Sequence, residues 1–179
     1  LAAANGTVAG IREILRDANG ALVNRFLAGE AATQLVADQT AVVDRVIRTA
    51  WEQSCGPQLP DVVLAAVGGY GRAELHPFSD VDLLVLLPDQ KQRDVREPVS
   101  AFLALLWDIG LQVGHSTRTV AECRDESRRA LTTATTLMEG RCLLGPEELF
   151  QQMEAACAPP DVWPARSFFE AKLKEQQAR

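Results

Sequence analysis

Two acids, Asp80 and Asp82, open the apolar run Asp80-Val81-Asp82-Leu83-Leu84-Val85-Leu86-Leu87. In a strand, residues i and i+2 project from one face, so this spacing predicts both carboxylates aimed into one pocket and Val81 turned away. Carboxylates placed side by side repel, and at least one pKa rises unless a cation lies between them. A divalent ion resolves the conflict. Magnesium is held in this way in nucleotide-using sites, by few carboxylates, with its other positions left to water and phosphate. Upstream, Val62-Val63-Leu64-Ala65-Ala66-Val67 stops at Gly68-Gly69, the pattern of a buried strand and a glycine turn. Without a Cβ the turn can take positive φ and bring backbone N–H groups close to anionic phosphate oxygens.

Each half alone is uninformative, since a Gly-Gly pair is most often a turn and an Asp-x-Asp a solvated strand edge. Their joint order of strand, turn, ten-residue spacer and paired acids is the signal. Around it, Ser79 and Arg72 are candidates to hold outer phosphates. Arg118 could clamp phosphate oxygens through two parallel hydrogen bonds, or could form a plain surface salt bridge. His115 reads as a base or ligand, or as a strand histidine satisfied by its neighbours. Tyr70, Glu74 and His76 read as residues that shape the spacer.

The elements that must position these groups follow from periodicity. Val8, Ile11, Ile14 and Leu15 predict a short helix over 8–18 that breaks at Asn19-Gly20, with a second helix starting near Ala21. A longer helix runs from Ala31 to Gln53 and ends at Cys55-Gly56-Pro57. Pro88-Asp89 ends the second strand, and a helix from Val95 to Ile109 stops at Gly110. A third strand spans Leu111–Thr119, beside the acid-bearing one. Helices are then expected over 120–130, 132–144, from Pro146 to the Pro159-Pro160 break, and 164–179. The organisation expected is a helical segment over 1–54, a core over 55–145 and closing helices over 146–179.

With 179 residues, 47% hydrophobic and 23% charged, the chain has the composition of one folded domain with a real core. Its apolar runs are strand-sized, so no membrane span is expected, and Leu1–Gly6 lacks the features of a signal peptide. The net charge of −6 argues against broad binding to nucleic acid. Cys55, Cys123, Cys142 and Cys157 show no metal-binding spacing and read as reduced thiols in a cytoplasmic protein.

The signature resembles that of the polymerase-β-like nucleotidyltransferase superfamily. The fuller string, Gly68-Gly69-Tyr70-Gly71-Arg72 through Glu74-Leu75, Pro77 and Ser79-Asp80 to Asp82-Leu83-Leu84, is similar to the amino-terminal domain of the bifunctional uridylyltransferase and uridylyl-removing enzymes that modify the PII nitrogen-signalling protein. The resemblance implies an α/β (α+β) fold, a small mixed sheet packed by amino- and carboxy-terminal helices. It also implies transfer of UMP from UTP to a tyrosine of PII with magnesium on Asp80 and Asp82, nucleotide contacts from Gly68, Gly69, Arg72, Ser79 and Arg118, and release of pyrophosphate. Glu139 and Arg141 fall in a string similar to one in that family and are implied as polar contacts to the nucleotide site, where the bare reading of the residues makes them charges on a helix surface. Where the superfamily has a third acid, this chain has Ser116, which leaves the metal count open. The chain then reads as a fragment of a longer enzyme whose hydrolase and glutamine-sensing domains lie elsewhere. An adenylyltransferase of the same superfamily and a non-catalytic nucleotide-sensing module are the alternatives.

Overall fold

A computed structural model describes residues 8–56, 58–88, 95–159 and 161–177. Expectations that fall on Leu1–Gly6, Pro57, Asp89, Pro160 and the last two residues lie outside these. The elements are α1 (Val8–Leu27), α2 (Ala32–Ser54), β1 (Val63–Ala66), α3 (Gly68–Gly71), β2 (Val81–Leu87), α4 (Arg96–Asp108), β3 (Val113–Thr119), α5 (Val120–Arg129), α6 (Leu131–Met138), β4 (Arg141–Leu144), α7 (Glu147–Cys157) and α8 (Ala165–Gln177). The strands form one small mixed sheet in the order β3-β2-β1-β4, as the α/β reading anticipated.

Two compact units make up the chain. The first comprises Leu1–Pro60, Ala73–Leu83 and Gln92–Gly114, and the second Asp61–Arg72, Leu84–Lys91 and His115–Arg179. In the first, α2 buries Val43, Val46, Ile47, Ala50 and Trp51, and α4 buries Phe102, Leu103 and Leu106. Trp51 and Phe102 meet edge to face, ring centres 5.1 Å apart, a geometry that aligns ring edge with ring face. Cys55 donates to the Pro98 carbonyl, and burial pushes its thiol up to about 12, so it is an inert core group. In the second unit, Val63, Ala65, Leu84 and Leu86 pack with Cys123, Leu137, Phe150 and Met153. A capping box, Thr119 with Glu122, starts α5 by satisfying two backbone donors that the helix leaves open. All four cysteines are free thiols.

Three expectations are corrected. The helix expected to break at Asn19-Gly20 runs on as one element to Leu27. A glycine inside a helix costs only about 1 kcal/mol, less than the turns on either side contribute together with the buried Ile11 and Leu15. The helix expected over 132–144 ends at Met138, and Arg141–Leu144 is instead an edge strand, antiparallel to β1 with Leu64 opposite Leu144 and Ala66 opposite Arg141. The apolar string Cys142-Leu143-Leu144 fits either period, and β1's unpaired backbone decides for the ladder. The turn at Gly68-Gly69 is also not an open loop but one turn of helix.

If α1 is continuous through Gly20, where an added Cβ meets nothing within 4 Å, Gly20→Ala raises unfolding stability by about 0.5–1 kcal/mol in urea titration. A neutral or destabilising result would restore the break. Phe102→Ala, by emptying the fully buried ring position against Trp51, lowers stability by about 3–5 kcal/mol in the same measurement.

Candidate active site

The second unit carries the glycine half of the signature. β1 is buried at all four positions, and the chain leaves it through the extended Val67 into α3. Gly68 has φ of +60°, the left-handed conformation that a side chain disfavours and the sequence assigned to a glycine here. The N–H groups in the first turn of a helix have no carbonyl four residues back to bond to, so this turn offers donors to an anion. Gly68 is buried and Gly69 half-buried, which makes the Gly69 side the more open one. Arg72 is exposed and its guanidinium lies 2.6 Å from the Glu139 carboxylate. Arg118, half-buried on β3, has no hydrogen-bond or ion-pair partner among the described residues.

The first unit carries the acids. The spacer is tied to α2 by the buried Thr40, whose hydroxyl accepts from the Leu75 N–H at 3.1 Å and lies 3.1 Å from the Ala73 carbonyl. Ala73 and Phe78 both take positive φ, 60° and 66°. The Ser79 N–H bonds the His76 carbonyl, closing a turn with Pro77 at its second position and Phe78 at its third, where a glycine is usual. Holding a phenylalanine there stores about 1–3 kcal/mol, and such strain persists only where the surroundings fix it. This turn delivers Ser79 and Asp80, both exposed, to the start of β2.

Asp80 precedes the strand instead of opening it, because β2 begins at Val81, whose N–H bonds the Gln112 carbonyl at 2.8 Å. Asp82 lies within β2, half-buried among Val81, Leu83 and Leu84. Its carboxyl is pushed above the usual range, first by burial and second by the charge of Asp80. The two acids therefore feel each other as the spacing implied, although they are not equivalent, one solvated and the other desolvated.

Gly114 on β3 is a site residue that the sequence reading assigned no role. A Cβ there would stand 2.5 Å from Asp82 Oδ1, so the absent side chain leaves the room that the carboxylate occupies. The available signal was a glycine inside a predicted strand, which marks a close approach of another group. Glu139 lies against Arg72 and Arg141 against Tyr70 and Gly71, so both contact the glycine turn. Ser116 is half-buried and His115 exposed on β3. Among the described residues, no group of three or more His, Cys, Asp or Glu side chains is placed to hold a metal ion. Asp80 and Asp82 are both hard-oxygen groups, and the missing Cβ of Gly114 leaves room for the Asp82 carboxylate. No helix among the described residues is long and apolar enough to cross a membrane.

Residues 47–131 match the family profile described as a nucleotidyltransferase domain. Over 172 residues the chain is 47% identical to the bifunctional uridylyltransferase/uridylyl-removing enzyme of Stutzerimonas stutzeri (strain A1501), covering 96% of this chain and 19% of that protein. It is 45% identical over 179 residues to the protein of the same name from Pseudomonas aeruginosa (strain LESB58), covering all of this chain and 20% of that one. The chain thus spans about a fifth of the length of the curated relatives it matches. A solved structure titled as a toxin-antitoxin with AMP-PNP aligns with 75% of this chain and 93% of its own at a TM-score of 0.42 and 15% identity, too loose a likeness to carry an argument. The signature residues, the sheet that bears them and the identity along its whole length make this chain a nucleotidyltransferase-domain member of the bifunctional uridylyltransferase/uridylyl-removing enzyme family.

Proposed function

We propose that this chain is the uridylyl-transferring part of a cytoplasmic enzyme that moves UMP from UTP to a tyrosine hydroxyl of a PII-type signalling protein and releases pyrophosphate. The observation that carries the reading is the 45–47% identity along the whole chain to proteins named for that activity. The paired acids and the glycine turn support it chemically. In this reading Asp80 and Asp82 hold magnesium, which when bound neutralises phosphate charge and orients the reacting oxygens. Asp82 supplies the desolvated carboxylate, whose attraction for a cation is the less screened of the two, and Asp80 the solvated one. Gly68 and Gly69 present N–H groups to phosphate oxygens, with Arg72 and Arg118 adding positive charge and Ser79 a hydroxyl. Gly114, having no Cβ, leaves the room in which the Asp82 carboxylate lies.

The reaction is tested by pyrophosphate release from UTP and from ATP in the presence of a PII protein and magnesium. UTP is expected to be the preferred donor, and equal or better use of ATP would make the enzyme an adenylyltransferase. Asp80→Asn and Asp82→Asn are each expected to lower kcat on the order of 10²–10³-fold while leaving the melting temperature near that of the parent. Retained turnover in both would overturn the catalytic assignment of the two acids, and a parent that binds UTP without turnover would be a nucleotide-sensing module. Because a proton and a metal compete for the raised Asp82 carboxyl, magnesium affinity should fall as pH drops into a range where an ordinary aspartate is still ionised. Gly114→Ala, which drives a methyl group against Asp82 Oδ1, should weaken magnesium binding about tenfold with little change in fold, as followed by metal titration.

A further inference from the structure

In the second unit, two residues where α6 gives way to β4, Glu139 and Arg141, lie against Tyr70, Gly71 and Arg72 of the glycine turn. Glu139 Oε2 meets Arg72 Nη1 at 2.6 Å. The Glu139 backbone carbonyl lies so close to Gly71 that a Cβ on that residue would stand 2.0 Å from the oxygen. From β4, Arg141 donates to the carbonyls of both Tyr70 and Gly71 at 3.4 Å, and its guanidinium lies 5.6 Å from the centre of the Tyr70 ring. Gly140 between them packs elsewhere, its would-be Cβ 2.9 Å from the Leu137 carbonyl and 3.4 Å from the Phe150 ring.

We propose that Glu139 and Arg141 are positioning residues that brace the glycine turn, fixing the direction in which Gly68 and Gly69 present their N–H groups. The inference rests on the reading of that turn as the phosphate-binding one. A single helical turn is not stable by itself, because the first hydrogen bonds do not offset the ordering of the residues that make them. α3 is four residues long, and at its end the Arg72 N–H bonds the Gly68 and Tyr70 carbonyls. Arg141 adds donors to the Tyr70 and Gly71 carbonyls, and its cation rests on the face of the buried Tyr70 ring. Arg141 itself is set by the sheet, for it stands opposite Ala66, the last residue of the strand that feeds the turn. The turn is thus held at its entrance by β1 and at its exit by the Glu139–Arg141 segment. Neither side chain need touch nucleotide. Their effect on binding passes through the geometry of the N–H groups, so it should scale with the number of phosphates that those groups meet.

The test measures dissociation constants of UTP, UMP and uridine in the full-length protein by titration calorimetry, with melting temperature alongside. Arg141→Met, which keeps the stem and removes the guanidinium, should raise the UTP constant about tenfold, the UMP constant less, and the uridine constant not at all, with kcat at saturating UTP kept within about twofold. Arg141→Lys should recover part of the loss, because an ammonium keeps the cation on the ring but cannot span both carbonyls. Glu139→Gln should raise the UTP constant about two- to threefold, as befits a half-exposed ion pair. If Arg141→Met does not fold, Arg141→Lys and Glu139→Gln decide the matter by the same three-ligand comparison. Equal losses for all three ligands, or no loss for UTP in any folded variant, overturn the brace. A parent protein that prefers ATP refutes uridylyl transfer alone, and ATP, AMP and adenosine then decide the brace. A parent that binds no nucleoside triphosphate overturns both.

Discussion

A carboxylate inside a strand that is otherwise apolar sets the terms for the acid-bearing end of this molecule. β2 reads Val-Asp-Leu-Leu-Val-Leu-Leu, and Asp82 is its single polar side chain. Burial raises its carboxyl, and Asp80 raises it further, so the folded chain holds a carboxylate whose charge is costlier than a free one's and would be stabilised by a cation. Nothing about the stability of β2 calls for that arrangement, since a leucine at position 82 would pack with less penalty. Strain in the turn at Pro77-Phe78, the Thr40 tether on the spacer and the missing side chain at Gly114 all bear on keeping the two acids where they are. A site that departs from the local rules at several adjacent positions, within a fold that elsewhere obeys them, is the expected mark of function.

Much of this was legible in the sequence because most elements declare themselves by period. α2 and α4 carry apolar stripes at helical spacing that face each other through Trp51 and Phe102. β1, and β2 from Leu83 onward, are continuous apolar runs, as strands buried on both faces must be. The failures have equally particular causes. Asn19-Gly20 looked like a break because turn residues are read by type, whereas their effect depends on the helix that flanks them. Arg141–Leu144 looked helical because the apolar string Cys142-Leu143-Leu144 is too short to have a period of its own, and only the partner strand decides its state.

The site was legible as a set of residue types and less so as a set of contacts. Asp80, Asp82, Gly68 and Gly69 stand out because each is chemically wrong for a plain strand or helix. Gly114 matters through a neighbour more than thirty positions away in the chain, and Glu139 and Arg141 matter through Arg72, Tyr70 and Gly71. Such pairs have no signature in a single sequence, since only the folded backbone brings them together. Glu139 and Arg141 were expected as polar contacts to the nucleotide site, and the structure sets them against Arg72, Tyr70 and Gly71 of the glycine turn.

The shortness of the donor list has a physical reading of its own. Two carboxylates balance the charge of one divalent cation, and magnesium, which releases its waters reluctantly, is usually held by one or two carboxylates together with phosphate oxygens from substrate. On the proposed function, the remaining coordination then comes from the triphosphate and water, and the protein supplies half a site. A half-site makes metal and nucleotide mutually dependent: each binds more tightly when the other is present, by the same factor in both directions. The raised Asp82 carboxyl makes that coupling depend on pH, because a proton and the metal compete for the same group. On this reading the ligand itself brings the oxygens that the two acids do not supply.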